Sequence, residues 1–467
     1  MTKLTVYFSL LTVLMFPHVF AQELTVLTFD RFMKLVKTYH PMAAQAGLQT
    51  ELGEAVVRAS RGGFDPQLFT NIGQKYFEND QYYSLIDAGL KIPTWVGIDI
   101  QAGWELTDGI YLNPELNTPN TGLVYAGVSL PVGQGLFIDK RRADLKKAKL
   151  FEEITLLERD LMLNELLFKA GKVYWDWFSD FHEMKVFEEA YNLANIRFNA
   201  VRRSAILGDV PFIDTTEALI QVQNILLNFQ QAQLEYKNST EELQIFLWDE
   251  GVIPLELGDN TFPPSLEDVE SVSIDESLIQ ELNSLINQHP ALLQYRLNID
   301  QLEVDRRLKR EMLKPTINLK YNALNEPVGR NPIADYSINN YSWGLQFGMP
   351  LFLRRERGDL KQVNNAIQQS ELEILDINAN IQFNVKATLN EWATTKEQTD
   401  LWKKAVEEYS TLLSGERQLF NNGESSIFMI NTREIAYVNA KVKYLELLNK
   451  NRKSELATSY TFGILSR

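Results

Sequence analysis

Residues 139–203, DKRRADLKKAKLFEEITLLERDLMLNELLFKAGKVYWDWFSDFHEMKVFEEAYNLANIRFNAVRR, contain no proline and a single glycine, Gly171. Apolar residues recur at alternating steps of four and three: Leu150, Ile154, Leu157 and Leu161, then after a polar interval Trp177, Phe181 and Met184, then Phe187, Tyr191, Ala194 and Phe198. That spacing keeps one stripe on one face of a helix and lies closer to a coiled-coil seam than to an ordinary surface helix. At 1.5 Å per residue, about 65 residues make a rod of roughly 100 Å, several times the mean helix length of globular proteins. Taken alone, the stretch fits a generic coiled-coil stalk equally well.

Working outward, the chain builds the same object twice. Thr28 to Arg61 reads as helix interrupted at His40-Pro41, and residues 276–313 read as helix interrupted at His289-Pro290. Each segment stops near a proline, Pro66 and Pro315, which opens extended structure because it lacks an N–H and biases its predecessor toward β. Strand-like residues follow, then Leu130-Pro131 and Met349-Pro350, then Arg142-Ala143-Asp144-Leu145 and Arg357-Gly358-Asp359-Leu360, where long helices begin. Both long helices run to a glycine turn, Leu207-Gly208-Asp209 and Asn422-Gly423-Glu424, and return as helices ending near Trp248 and Ser459. The expected organisation is a leader over 1–21, a first repeat over 22–250 and a second over 274–467. The segment 251–273 between them is rich in proline, glycine and acid and reads as a linker or small side domain.

The strands are amphipathic. Tyr341, Trp343, Leu345, Phe347 and Met349 alternate with Asn340, Ser342, Gly344, Gln346 and Gly348. Val96, Ile98, Ile100, Ala102, Trp104 and Leu106 alternate with Gly97, Asp99, Gln101, Gly103 and Glu105, and Ile317, Leu319 and Tyr321 alternate with Asn318, Lys320 and Asn322. A soluble sandwich would bury such apolar faces, but these halves contain no second sheet to pack against. Lipid outside, water inside and aromatic residues at the strand ends is the pattern of a membrane β-barrel. Val96, Ile98, Trp104, Ile317, Leu319, Trp343, Leu345 and Phe347 are the expected lipid-facing residues. About four strands cannot close a barrel, so several chains must pool them. Flanking helices on one side of the membrane demand an even number of crossings per half, yet the first half offers three strand-like runs, 66–77, 93–106 and 122–131. The segments 107–120 and 325–335 read as outward-facing loops.

Composition bounds the function. The 467 residues contain no cysteine, which excludes disulfides, thiolate metal sites and thiol nucleophiles. A formal charge of −15 argues against nucleic acid, whose binders carry a basic face. Lys3, the apolar run 4–16 and Val19-Phe20-Ala21 read as a cleaved secretory signal, too short to span a bilayer. Catalysis finds no support: Glu152-Glu153 and Glu188-Glu189 point to different helix azimuths, His40, His182 and His289 are too scattered for a local metal motif, and no phosphate loop or nucleophile elbow follows a strand. No catalytic residue, cofactor or metal is expected.

With this duplicated layout, the His-Pro and strand-proline marks and above all the second turn, Phe420-Asn421-Asn422-Gly423-Glu424-Ser425-Ser426-Ile427-Phe428-Met429-Ile430-Asn431-Thr432-Arg433-Glu434, the chain resembles the TolC-like outer-membrane efflux proteins over essentially its whole mature length. The resemblance implies a mainly α fold with a membrane β-barrel segment: a homotrimeric channel-tunnel in which four strands per chain make a shared twelve-stranded barrel in outer-membrane lipid, continued by long helical hairpins. It further implies a periplasmic adaptor (membrane fusion) protein and an inner-membrane transporter as partners, in efflux or type I secretion. In the family the helical tips form a closable gate, often with a carboxylate after the turn glycine. Here Asp214 stands at that position after Gly208, with Glu217 one turn on, whereas the matching position after Gly423 is Met429 and the nearest polar candidates are Asn431, Arg433 and Glu434. The expected tip residues are therefore Gly208, Asp209, Asp214, Glu217, Gly423, Glu424, Asn431 and Arg433. Asp209, Asp214 and Glu424 equally suit helix termini through caps and the dipole. The competing class is a secreted periplasmic coiled-coil adaptor or structural protein, although an adaptor would carry one hairpin flanked by β-domains rather than two.

Overall fold

The structure, a computed structural model, describes residues 25–258, 260–273, 281–327, 331, 334 and 336–466. The expected leader, residues 274–280 of the second repeat and most of the expected loop 325–335 lie outside them. In chain order the elements are β1 (Thr25–Val26), α1 (Phe29–Tyr39), α2 (Pro41–Arg61), β2 (Gln67–Phe77), β3 (Asp80–Pro93), β4 (Asp99–Asp108) and β5 (Leu123–Pro131). Next come α3 (Lys140–Leu207), α4 (Phe212–Gln244), β6 (Trp248–Asp249), β7 (Ile253–Pro254) and β8 (Thr261–Phe262). The chain continues with α5 (Leu282–Asn287), α6 (Pro290–Glu311), β9 (Thr316–Asn325), β10 (Tyr341–Gly348), α7 (Arg354–Asn421) and α8 (Ile427–Phe462).

Local chemistry sets the helix boundaries. Both His-Pro pairs are helix starts: His40 and His289 are extended N-caps whose Nδ1 accepts from the N–H of Met42 at 3.1 Å and Ala291 at 3.2 Å, and the following proline needs no donor at the first helical position. A ring nitrogen that accepts is unprotonated, so each cap requires a neutral histidine with its proton on Nε2. Asp139 starts the long helix α3, its carboxylate accepting from Arg142 N–H at 2.9 Å.

The chain divides into two compact units, one formed by residues up to Val36 with Ala170–Ser271 and Gln398–Lys450, the other by Lys37–Lys169, Val272–Glu397 and Asn451–Arg467. In the first, the later part of the stripe read from the sequence packs on the core: Ala194 joins Ala190, Val222, Ile225 and Val438, and the partly buried Phe187, Tyr191 and Phe198 lie against them. Trp177 is fully buried and donates to Thr240 Oγ1 at 3.1 Å. Within residues 251–273, β8 pairs in parallel with β1, while β7 pairs with β6.

The second unit holds a six-stranded sheet in the order β10-β9-β5-β4-β3-β2, antiparallel at every pairing. Its helices pack through Ile138, Ala143, Val304 and Leu308, and through Ile286, Leu292, Val385 and Phe462. The first half thus contributes four strands, not three, and the second two. The even number that the sequence argument demanded is reached in each half, but the total exceeds the four strands per chain implied by the family resemblance. The additional strand is β3, joined to β2 by a two-residue turn at Glu78 and Asn79, both with positive φ (54° and 70°). Two such residues give the turn twist that matches a hairpin. The strand expected from Pro93 begins instead at Asp99: Pro93 ends β3, and residues 94–98 form a turn closed by Thr94 N–H and Oγ1 donating to the carbonyl of Ile98.

Candidate functional site

The sheet has two chemically distinct faces, and its register proves it, because residues directly opposite in antiparallel strands share a face. One row runs Ile92, Ile100, Val128, Tyr321, Trp343; the next runs Leu68, Leu90, Ala102, Ala126, Ala323, Tyr341; Leu130, Leu319 and Leu345 make a third. Ile317 opposes Phe347, and Trp104 opposes Val124, on the same face. Leu68, Ile72, Trp343, Leu345 and Phe347 are each at least 60% exposed, although large apolar groups on a folded chain normally find cover. Six of the eight expected lipid-facing residues therefore lie on one apolar face. The other two, Val96 and Ile98, do not lie on a strand; they sit in the turn after β3, beside Gly97 (φ 86°) and exposed Trp95, which stacks on Phe64 at 4.9 Å. This turn marks the helix-side end of the sheet, where Asp99 pairs with Lys91 at 3.1 Å and with Arg141 of α3 at 2.9 Å.

The opposite face is polar and cross-braced. Gln101 Nε2 on β4 donates to Asn322 Oδ1 on β9 at 2.7 Å, passing over Gly127 of the strand between them. Tyr125 Oη on β5 donates to Asp87 on β3 at 2.9 Å, its ring lying over Gly103 of β4. A Cβ at Gly103 would meet that ring at 2.6 Å, and one at Gly127 would meet Asn322 and the Tyr321 carbonyl, so both positions need glycine. At the far end of the sheet the segment after β4 and the one after β9 are linked by Thr121 Oγ1 donating to Glu326 at 2.9 Å.

The helical tips repeat one geometry. α3 ends with Gly208 at φ 85°, its N–H donating to Ala205 O and that of Asp209 to Ser204 O; α7 ends with Gly423 at φ 78°, with Phe420 O and Leu419 O accepting from Gly423 and Glu424. Both are glycine-terminated closures that satisfy the last helical carbonyls. Asp209 and Glu424 are exposed on the turns, while Asp214 and Glu217 are half-buried in the first turns of α4. Ile206, Leu207, Phe212 and Ile213 leave the first tip with an exposed apolar cap.

Asn431 and Arg433 have defined partners. Asn431 is buried and accepts from Arg197 Nη1 at 3.0 Å, and Arg433 Nε lies 3.5 Å from Glu416, which also accepts from Ser425. At the centre is Glu434, 2% exposed, gripped by both terminal nitrogens of Arg197 (Nη2 to Oε1, 2.6 Å) and approached by Arg417 at 3.5 Å. Sequence reading left Arg197, Glu416 and Arg417 out of the site; Arg197 sits 237 residues from Glu434, and no local spacing signals such a pair. Farther along the helices, burial and the nearby Glu235, Asp180 and Glu446 push the carboxyl of Glu183 up to about 7.

Residues 282–457 match the family model of the outer membrane efflux proteins. No curated protein matches the chain in sequence. Among solved structures, the fold is similar to the CmeC outer membrane channel of Campylobacter jejuni, with a TM-score of 0.62 at 12% identity, covering 93% of this chain and 85% of that one. It is similar to the outer membrane protein VceC of Vibrio cholerae (0.63, 11%, covering 93% and 96%) and to the open state of the MtrE outer membrane channel of Neisseria gonorrhoeae (0.63, 12%, covering 93% and 88%).

Proposed function

We propose that this chain, which has the fold of outer membrane channels and the efflux-protein signature in its second half, is the homotrimeric outer-membrane channel of a tripartite efflux or type I secretion system. One observation carries the reading: a sheet apolar across one face and open at both edges is fused to two helical hairpins. Its exposed apolar face, with Leu68, Ile72, Trp343, Leu345 and Phe347, is a surface whose chemistry suits lipid. Its polar face, braced by Gln101, Asn322, Tyr125 and Asp87, would line the water-filled side. The two repeats, 22–250 and 274–467, would arise by duplication around the connecting segment 251–273. Glycine-closed tips with an apolar cap at Ile206, Leu207, Phe212 and Ile213 support docking on a periplasmic adaptor, which would couple the channel to an inner-membrane transporter. Gating would fall to the tip residues Gly208, Asp209, Asp214, Glu217, Gly423, Glu424, Asn431 and Arg433.

The test is fractionation with size analysis. The mature chain, beginning near Gln22, is expected with the outer membrane and, in mild detergent, as three copies. A soluble periplasmic monomer would overturn the reading in favour of a secreted coiled-coil protein.

A further inference from the structure

The β2–β3 hairpin changes how copies of the chain can join. Every residue of β4 from Asp99 to Asp108 is paired with β3, from Pro93 back to Ser84, so β4 has no free edge to offer another chain. Among the described residues, the free edges belong to β2, with 11 residues, and β10, with 8. The hairpin is built into the wall. Leu68 and Leu90 continue the apolar row of Ala102, Ala126 and Ala323; Ile92 continues that of Ile100 and Val128; and Asp87 on β3 is tied to Tyr125 on β5 across Gly103. Strand lengths of 11 and 14 residues match or exceed the 9 to 11 or so that cross a bilayer.

From this we infer that the outer edge of β2 pairs antiparallel with β10 of a neighbouring copy, so that three copies close a barrel of eighteen strands rather than twelve. The inference rests on the trimeric-channel reading above. A second copy is the occupant because the six strands alternate in direction: β2 leaves the helix-side end and β10 returns to it, so placing β10 against the next β2 continues the alternation without a parallel pair. Both edge strands also carry their exposed apolar residues, Leu68 and Ile72 on one and Trp343, Leu345 and Phe347 on the other, on the same face of the sheet. In lipid, unpaired edge backbone is not tolerated, and pairing these two edges leaves none. Barrel diameter grows roughly linearly with strand number, so the pore would be about half again as wide as one of twelve strands.

The absence of cysteine makes the edges directly testable by disulfide trapping in the full-length protein. Single cysteines on the polar face of β2 (Asn71→Cys or Gly73→Cys) are combined with one on β10 (Ser342→Cys, Gly344→Cys or Gln346→Cys), which together sample the four same-face registers in which the two strands overlap most. At least one combination is expected to give, on oxidation in the outer membrane, a covalent trimer that reduction dissolves, while no single variant does. A trimer in which only Gln101→Cys or Gly103→Cys on β4 links to the β10 set, or in which no β2 combination links, overturns the inference and leaves the channel reading intact. Failure of the parent protein to form a membrane trimer sinks the channel reading itself. An image reconstruction of the parent trimer in a nanodisc counts the strands independently: eighteen supports the inference and twelve overturns it.

Discussion

Glu434 shows how much one buried charge can demand. At 2% exposure it would be untenable without the two-pronged grip of Arg197, since a buried carboxylate is stable only when paired and hydrogen-bonded. Arg197→Met, which keeps most of the packing and removes the charge, should lower the stability of the folded chain by about 3 to 5 kcal/mol, the usual penalty for orphaning a buried partner. Arg197→Met with Glu434→Met should recover a large part of it, as thermal denaturation in detergent would reveal. Equal loss in the single and double variants would mean that shape, not charge, matters there. Glu183 obeys different physics. Its folded pKa of about 7 lies above its ordinary 4.5, so between those values the folded chain holds a proton the unfolded chain has released. Its contribution to stability is complete below 4.5 and lost as pH rises through 7. Glu183→Gln should therefore raise the melting temperature at pH 8 and change it little at pH 4; the reverse order would contradict the assignment.

At the scale of elements, periodicity was legible wherever one face met one environment. The stripe of α3 and the alternation of β9 and β10 were read from the sequence because a period of 3.6 or 2 survives into the structure unchanged. β3 escaped because Leu85 and Ile86 are adjacent apolar residues on opposite faces, although from Ile86 to Ile92 the apolar residues alternate with Asp87, Gly89 and Lys91. The polar run Glu78-Asn79-Asp80 between two β-rich stretches was the available signal for its hairpin. Pro93 misled for a local reason: proline suits the end of a strand as well as the opening of one. The face assignment has a direct test. Trp343→Arg or Leu345→Arg should impair assembly, because a charge on the lipid face near mid-bilayer costs about 2 to 4 kcal/mol, whereas Gln346→Arg, on the polar face, should assemble at parental yield. Heat-modifiable trimer bands on gels would report it, and equal tolerance at both faces would refute a lipid-facing sheet.

For the whole molecule, in the channel proposed above, the helical tips are where charge would act. With three copies, Asp214 would place three carboxylates around one axis, and like charges in a confined pore attract cations. Asp214→Asn should then lower cation preference and weaken block by multivalent cations in planar bilayers without reducing trimer yield. Unchanged selectivity in Asp214→Asn, together with an altered one in Asp209→Asn or Glu424→Gln, would move the constriction to the turns. The sequence by itself determined what depends on neighbours along the chain: long helices from an unbroken stripe, their ends from Gly208 and Gly423, the helix breaks at the His-Pro pairs, and the amphipathic strands. Only the tertiary structure decided what depends on residues far apart, such as the union of Arg197 with Glu434, the brace from Gln101 to Asn322 over Gly127, and a sheet of six strands whose free edges are β2 and β10. The division is physical: dihedral preference and side-chain period act within a few residues, whereas pairing partners are selected by the closing of loops hundreds of residues long, for which local sequence carries no spacing to read.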